Sequence, residues 1–198
     1  AYVVKLWFLS LGGWTSNPFL SHISILLESR YTKVLVDAGE GAYVALKMCT
    51  PYDINDLDYI VITHRHGDHI LGIPTLLQYS KRLGMKLKVI GLADIYEAIV
   101  DLLRGAGVPN HIEFIDFISI KEGSEVILKD TRLSAIKARH PIPALSLRFE
   151  VNDKCITYSG DTQPNPDLAI FAKDCDVLIH EASADDEYSE DAHTHGHS

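Results

Sequence analysis

Hydrophobic and polar positions divide the chain into two strand-rich blocks separated by helical segments. In the first block Val3–Leu9, His22–Leu27 and Lys33–Val36 read as a β-meander, joined at Gly12-Gly13 and at Ser29-Arg30-Tyr31. Asp37-Ala38-Gly39-Glu40-Gly41 then leads into a short helix that ends near Cys49-Thr50-Pro51, where proline cannot continue it. The wholly apolar run Tyr59–Ile62 has the pattern of a strand buried on both faces. A helix is predicted from about Pro74 to Leu83, with Gly84 as its C-cap. After a strand at Leu87–Ile90, the segment Asp94–Arg104 places Ile95, Ile99, Leu102 and Leu103 at i, i+4, i+7 and i+8, one helical face. The second block holds strands at Ile112–Phe117, Glu125–Leu128, Arg132–Ala138, Leu145–Val151 and Cys155–Tyr158. A short helix (Pro166–Ala172) and a last strand (Asp176–Ile179) follow. This order predicts an α/β fold of two packed sheets with helices outside. Neither a repeat nor a linker interrupts it, so residues 1–198 read as a single domain.

The strand at Tyr59–Ile62 delivers the most chemically loaded segment, Thr63-His64-Arg65-His66-Gly67-Asp68-His69. His64 and His66 are two apart, so a still-extended backbone points both rings to one side. Gly67 is expected to let the chain turn sharply, bringing Asp68 and His69 back at the start of the next helix. Imidazoles and a carboxylate suit zinc, with iron or manganese as alternatives of lower affinity. The segment stands at a strand end, where α/β sheets build their sites.

Two further positions extend this set. His140 follows the strand Arg132–Ala138 and precedes Pro141, and Asp161 ends a strand in Ser159-Gly160-Asp161-Thr162. Taken singly, a histidine before proline is an ordinary loop residue and a Gly-Asp pair an ordinary turn. Together with the loop they complete a two-metal constellation. His64, His66 and His140 would hold one ion, Asp68 and His69 a second, and Asp161 would bridge them. Two ions about 4 Å apart can share a hydroxide and clamp both attacking and leaving oxygens, a hydrolase arrangement.

Composition sets limits on partners. A formal net charge of −9 counts against a general nucleic-acid surface. The sequence has no apolar run long enough to span a bilayer, and Ala1–Leu9 alternates like a strand rather than a leader peptide. Cys49, Cys155 and Cys175 are odd in number and lie in or beside apolar runs, which favours buried free thiols in a reducing compartment. A cytoplasmic location is expected.

The loop His64-Arg65-His66-Gly67-Asp68-His69, His140 and the Ser159-Gly160-Asp161-Thr162 turn resemble the metallo-β-lactamase fold, an αββα sandwich. Within it the narrower resemblance is to the tRNA 3′-end-processing ribonucleases, RNase Z. Asp37-Ala38-Gly39-Glu40-Gly41 is similar to their Asp-Cys-Gly-Glu-Gly segment, and Leu178-Ile179-His180-Glu181-Ala182-Ser183 to their His-Glu-Ala-Thr box. His197-Ser198 looks like the opening of their His-Ser-Thr motif. Arg65 departs from the pattern, which commonly has leucine there.

That resemblance implies phosphodiester cleavage by a metal-bound hydroxide, with His64, His66, Asp68, His69, His140 and Asp161 as ligands. Asp68 would also orient the attacking hydroxide, and Glu181 with His197 would protonate the leaving oxygen. Asp37 would orient a ligand. His193, His195 and His197 read equally as a solvated, opportunistically metal-binding tail, and His22 and His111 as structural or surface residues. A seventh ligand, a His in a Thr-His pair, is expected beyond Ser198, on a C-terminal strand and helix that the domain would otherwise lack. The resemblance further implies a homodimer and an RNA substrate. However, no glycine-rich basic arm for gripping tRNA occurs between Arg104 and Arg139. A smaller phosphodiester therefore stays open as substrate. Two alternatives use the same loop: hydrolysis of a lactone, thioester or sulfate ester, and a metal-binding scaffold without catalysis. A β-lactamase proper is disfavoured, because those enzymes commonly carry cysteine where Asp161 stands.

Overall fold

The structure, a computed structural model, describes residues 2–10 and 23–180. It contains two compact units that divide between Ile120 and Lys121.

The first unit is built on a six-stranded mixed sheet of β1 (Lys5–Ser10), β2 (Ile23–Glu28), β3 (Lys33–Val36), β4 (Tyr59–Val61), β5 (Leu87–Gly91) and β6 (Ile115–Ser119), in that order. The first three strands are antiparallel, as the meander predicts. From β3 to β6 the pairings are parallel, and parallel neighbours require crossovers. Helices supply them: α1 (Ala42–Cys49), α2 (Gly67–Ile70), α3 (Ile73–Leu83) and α4 (Ala93–Gly105). Ile73, Leu76, Leu77 and Ser80 of α3 are buried at i, i+3, i+4 and i+7. Ile95, Ile99 and Leu103 of α4 are buried at i, i+4 and i+8. The apolar ones pack with Leu26, Leu35, Ile60 and Val89 of the sheet into one core, each side chain contributing about 1.5–3 kcal/mol. Gly84 ends α3 in the left-handed region at φ 64, which a residue without Cβ adopts at no cost. This arrangement brings the ends of β3, β4 and β5 to one edge of the sheet, where the chain passes into Asp37, Thr63 and Ala93.

The second unit is a five-stranded sheet, order β11-β10-β9-β8-β7. Its strands are β7 (Glu125–Leu128), β8 (Thr131–Lys137), β9 (Leu145–Val151), β10 (Lys154–Tyr158) and β11 (Val177–Ile179). Lys129 and Asn152, at φ 56 and φ 55, take the left-handed conformation in the two tight hairpins. The helix α5 (Pro166–Phe171) carries the chain from β10 to its parallel neighbour β11.

Two expectations are corrected here. Residues Ile112–Phe114 are not strand but part of a 3₁₀ turn, Pro109–Phe114, and β6 begins only at Ile115. Pro109, fixed near helical φ, opens that turn. The cysteines are not three buried thiols: Cys155 and Cys175 form a disulfide, and Cys49 is exposed. The pairing of β10 with β11 brings Cys155 beside the entry to β11, where the Asp176 carboxylate accepts from the Cys155 amide.

A buried acid also marks the first sheet. Glu28 is 3% exposed and accepts hydrogen bonds from the Trp7 indole at 3.0 Å and the Tyr2 hydroxyl at 3.2 Å. Burial alone would raise its pKa, but donors on Tyr52, Trp7 and Tyr2 outweigh that and hold it below the ordinary carboxylate range. The same bond to Glu28 pushes the Tyr52 phenol up to about 12.

Candidate metal centre

The histidine loop is fixed from beneath by the turn that follows β3. The Asp37 amide donates to the Val61 carbonyl, the Ala38 amide to the His69 carbonyl, and the Gly72 amide to the Ala38 carbonyl, each at 2.8–2.9 Å. A Cβ on Gly39 would run into the carbonyl oxygen of Asp68, and a Cβ on Gly72 into that of Gly39. The two glycines therefore set how closely the turn can approach the loop.

On this base Asp37 acts as a hub. It is 3% exposed, and its φ of 61 turns the backbone so that the side chain reaches the loop. Its Oδ1 accepts from the Thr63 amide at 2.8 Å, and its Oδ2 from the Thr63 hydroxyl at 2.9 Å. The Nδ1 of His69 meets Oδ2 at 2.8 Å. The Thr63 hydroxyl also lies 3.0 Å from His64 Nδ1. One carboxylate thus orders two imidazoles, His69 directly and His64 through Thr63. Both rings are tied at Nδ1, which directs Nε2 to the other side, the arrangement expected of metal-binding histidines. Asp37 is positioned as its expected orienting role requires. Thr63 was not singled out from sequence; a hydroxyl residue directly before the first histidine was the available signal.

The rings themselves converge. His64 and His66 stand edge to face with centroids 4.9 Å apart, and His64 and His69 lie at 4.1 Å. Ligand atoms of His64 come within 4.8 Å of those of His66 and of those of His69. Asp68 Oδ2 is 3.3 Å from His69 Nε2. Three imidazole nitrogens and a carboxylate brought this close, with the rings oriented from behind, are a donor set that fits a borderline divalent ion such as zinc. The turn expected of Gly67 is made differently: Gly67 is absent from the left-handed region and instead opens α2, whose first turn presents Asp68 and His69.

In the second unit His140 lies in the loop after β8, which the Ala138 amide closes onto the Ala144 carbonyl. Asp161, 2% exposed, follows Gly160 at the end of β10. The two loops are laced together: the Arg139 amide donates to the Thr162 hydroxyl at 3.0 Å, and the Gln163 amide to the Arg139 carbonyl at 2.7 Å. His140 and Asp161 are thereby held on neighbouring loops of one sheet. His180 directly follows β11 and is exposed. His111 stands partly buried in the 3₁₀ turn of the first unit, apart from the histidine loop in the chain. Glu181, His193, His195, His197 and His22 lie outside the described residues.

Comparison with known proteins agrees with this geometry. The family described as Anti-Pycsar protein Apyc1 matches residues 4–198. A ribonuclease Z of Pyrobaculum aerophilum is 30% identical over 99% of this chain and 79% of its own length. A ribonuclease Z of Methanopyrus kandleri is 31% identical over 72% of this chain, which spans only 49% of that relative. Among solved structures, human tRNase Z, short form, has a TM-score of 0.77 at 23% identity, covering 98% of this chain and 83% of that one. The metallo-β-lactamase fold protein YhfI from Bacillus subtilis has a TM-score of 0.74 at 22% identity, covering 98% and 76%. These two likenesses establish the fold, an α/β sandwich of the metallo-β-lactamase type. The chain belongs to the family described as Anti-Pycsar protein Apyc1 and is a ribonuclease Z-like protein of the metallo-β-lactamase fold.

Proposed function

We propose that this chain is a binuclear metal-dependent phosphodiesterase of the ribonuclease Z kind. The observation that carries the reading is the Asp37 hub, which orders His64 and His69 from behind while His66 and Asp68 close on the same space. Such investment in ligand orientation suits a metal centre, and the likeness to a ribonuclease Z supports phosphodiester cleavage as its chemistry. In this reading His64, His66 and His140 would hold one ion and Asp68 and His69 the other, with Asp161 as a further ligand. When bound, zinc or a similar divalent ion supplies Lewis acidity and an acidified water near neutral pH.

The protein's own groups do the rest. Asp68 accepts a proton and orients the attacking water, while Glu181 and His197 return a proton to the leaving oxygen. The substrate is an RNA 3′ end or a smaller phosphodiester, with the smaller one favoured by the net charge of −9 and by the lack of a glycine-rich basic insertion between Arg104 and Arg139. We place the reaction in the cytoplasm and the chain in a homodimer, following its ribonuclease Z likeness. No helix among the described residues is long and apolar enough to cross a membrane.

The test is hydrolysis of bis(p-nitrophenyl) phosphate by zinc- or manganese-loaded protein, with His66→Ala and Asp68→Ala alongside. Metal-dependent turnover that falls at least about a hundredfold in both variants is expected. Wild-type-like turnover in either variant would overturn the assignment. Absence of turnover in the wild type with metal bound would transfer the centre to lactones, thioesters or sulfate esters.

A further inference from the structure

A disulfide in the second unit ties down a short, exposed strand. β11 stands at the edge of its sheet and pairs with β10 only at Ile156↔Val177, Thr157↔Leu178 and Tyr158↔Ile179. Val177 and Leu178 are 38% and 48% exposed, so burial adds little to its docking. Cys155, in β10, is bonded to Cys175, which lies 20 residues on in the sequence and two residues before β11. The other ties of this segment are backbone bonds and the Asp176 carboxylate on the Cys155 amide. The two Cα atoms stand 4.6 Å apart, a span that a disulfide crosses without backbone movement, so the pair can open and close with the fold in place. Cys155 is buried, whereas Cys175 is only partly so, and an external thiol meets the Cys175 sulfur first. The Thr157 hydroxyl lies 3.0 Å from Cys175 Sγ, where it can donate to a thiolate and favour the form that recloses the bond. Arg148 separately holds the C-terminal end of α5 through the Phe171 and Lys173 carbonyls, so the helix stays seated when the disulfide opens.

We propose that Cys155 and Cys175 form a reversible redox switch that docks or releases β11, the strand that carries the chain into His180 and Glu181, and so controls proton delivery to the leaving oxygen. The inference rests on the phosphodiesterase reading above, in which Glu181 takes part in returning that proton. In the opening step a low-molecular-weight thiolate such as glutathione attacks Cys175 Sγ. The sulfur–sulfur bond breaks, and Cys155 leaves as a thiolate that takes up a proton. A second glutathione thiolate attacks the glutathione sulfur of the mixed disulfide and releases Cys175 with one oxidised glutathione. Two thiols are thereby oxidised and one protein disulfide reduced. Disulfides in reducing compartments are commonly transient or redox-sensing, which suits the cytoplasmic placement above. With the bond open, β11 is left with three parallel pairs at a sheet edge and opens more often.

The competing role is a staple that serves stability alone. Manganese-loaded full-length protein separates the two when it carries Cys49→Ser, which removes the exposed free thiol. Thiols compete little for manganese. Turnover is followed in reduced and in oxidised glutathione on two diesters. Bis(p-nitrophenyl) phosphate releases a stable anion that needs no proton, whereas the dinucleotide ApA releases an alkoxide that does. Reduction is expected to lower kcat on ApA about tenfold, to change bis(p-nitrophenyl) phosphate less than about twofold, and to be reversed by reoxidation. Cys155→Ala with Cys175→Ser should match the reduced protein and ignore the glutathione ratio. Equal loss on both diesters, or no loss on ApA, would overturn the proposal. Where ApA is not cleaved, amide hydrogen exchange at Val177–Ile179 decides the switch, and failure on both diesters also sinks the phosphodiesterase reading. Exchange at least about tenfold faster on reduction, with β8 and β9 unchanged, upholds the switch; equal exchange overturns it.

Discussion

Replacing Asp37 by asparagine changes one oxygen into an amide and leaves shape and backbone alone. Asparagine tolerates the left-handed region that Asp37 occupies at φ 61, so the substitution adds no conformational strain. Its side chain can sit in two ways. With the oxygen toward the Thr63 amide, the amide group meets His69 Nδ1 as a donor. His69 must then carry its proton on Nε2, the nitrogen that faces away from Asp37. With the amide reversed, two donors oppose each other at the Thr63 amide. Either way one bond to an ionised acceptor is lost, worth about 1.5–3 kcal/mol. Loss of a partner that orients a metal-binding histidine lowers affinity about 10–100-fold, or about 1.4–2.8 kcal/mol. The two estimates agree. The assay is competitive zinc titration against a chromophoric chelator, with thermal melting of the metal-free protein as control. Asp37→Asn is expected to bind zinc about 10–100-fold more weakly at its weaker site, with the metal-free melt lowered only by the roughly 3–12 °C that the lost bond implies. Affinity within twofold of the wild type would refute the hub.

Two further perturbations probe the surrounding structure. Gly39→Ala drives a methyl group into the Asp68 carbonyl, so it should lower metal content and hydrolysis together, measured by elemental analysis and turnover, with a loss of about 1–3 kcal/mol in stability by denaturant unfolding. Glu28→Gln addresses acid stability. The folded pKa of Glu28 lies below its unfolded value of 4.5, so its contribution is present above that pH and lost as pH falls through the folded value. The variant should therefore be about 1–3 kcal/mol less stable near neutrality and show a flatter decline below pH 4.5. An unchanged pH slope in urea unfolding would count against the ionised, hydrogen-bonded carboxylate.

Much of this molecule was legible before any coordinates. The continuous apolar run Tyr59–Val61 and the helical spacing of Ile95, Ile99 and Leu103 are strong signals because tertiary burial enforces both. The histidine loop was readable because its chemistry is local, with His64, His66, Asp68 and His69 inside six residues. What escaped was non-local. That Asp37 and Thr63 form one network depends on β3 and β4 being parallel neighbours, a pairing that no short window reveals. Likewise Cys155 meets Cys175 only because β10 and β11 pair across α5. The strand expected at Ile112–Phe117 shows the limit of composition alone, since Ile112 and Phe114 pack against the core from a 3₁₀ turn. Arg65 could be seen in the loop, but its partner Asp94 belongs to the next crossover.

The account turns on two metal ions held by this set of residues, and counting them is its most direct test. Protein loaded with zinc and freed of excess metal should contain two ions per chain by elemental analysis, falling to about one in His66→Ala with the fold retained by circular dichroism. One ion or none in the wild type, or two in His66→Ala, would contradict the binuclear centre.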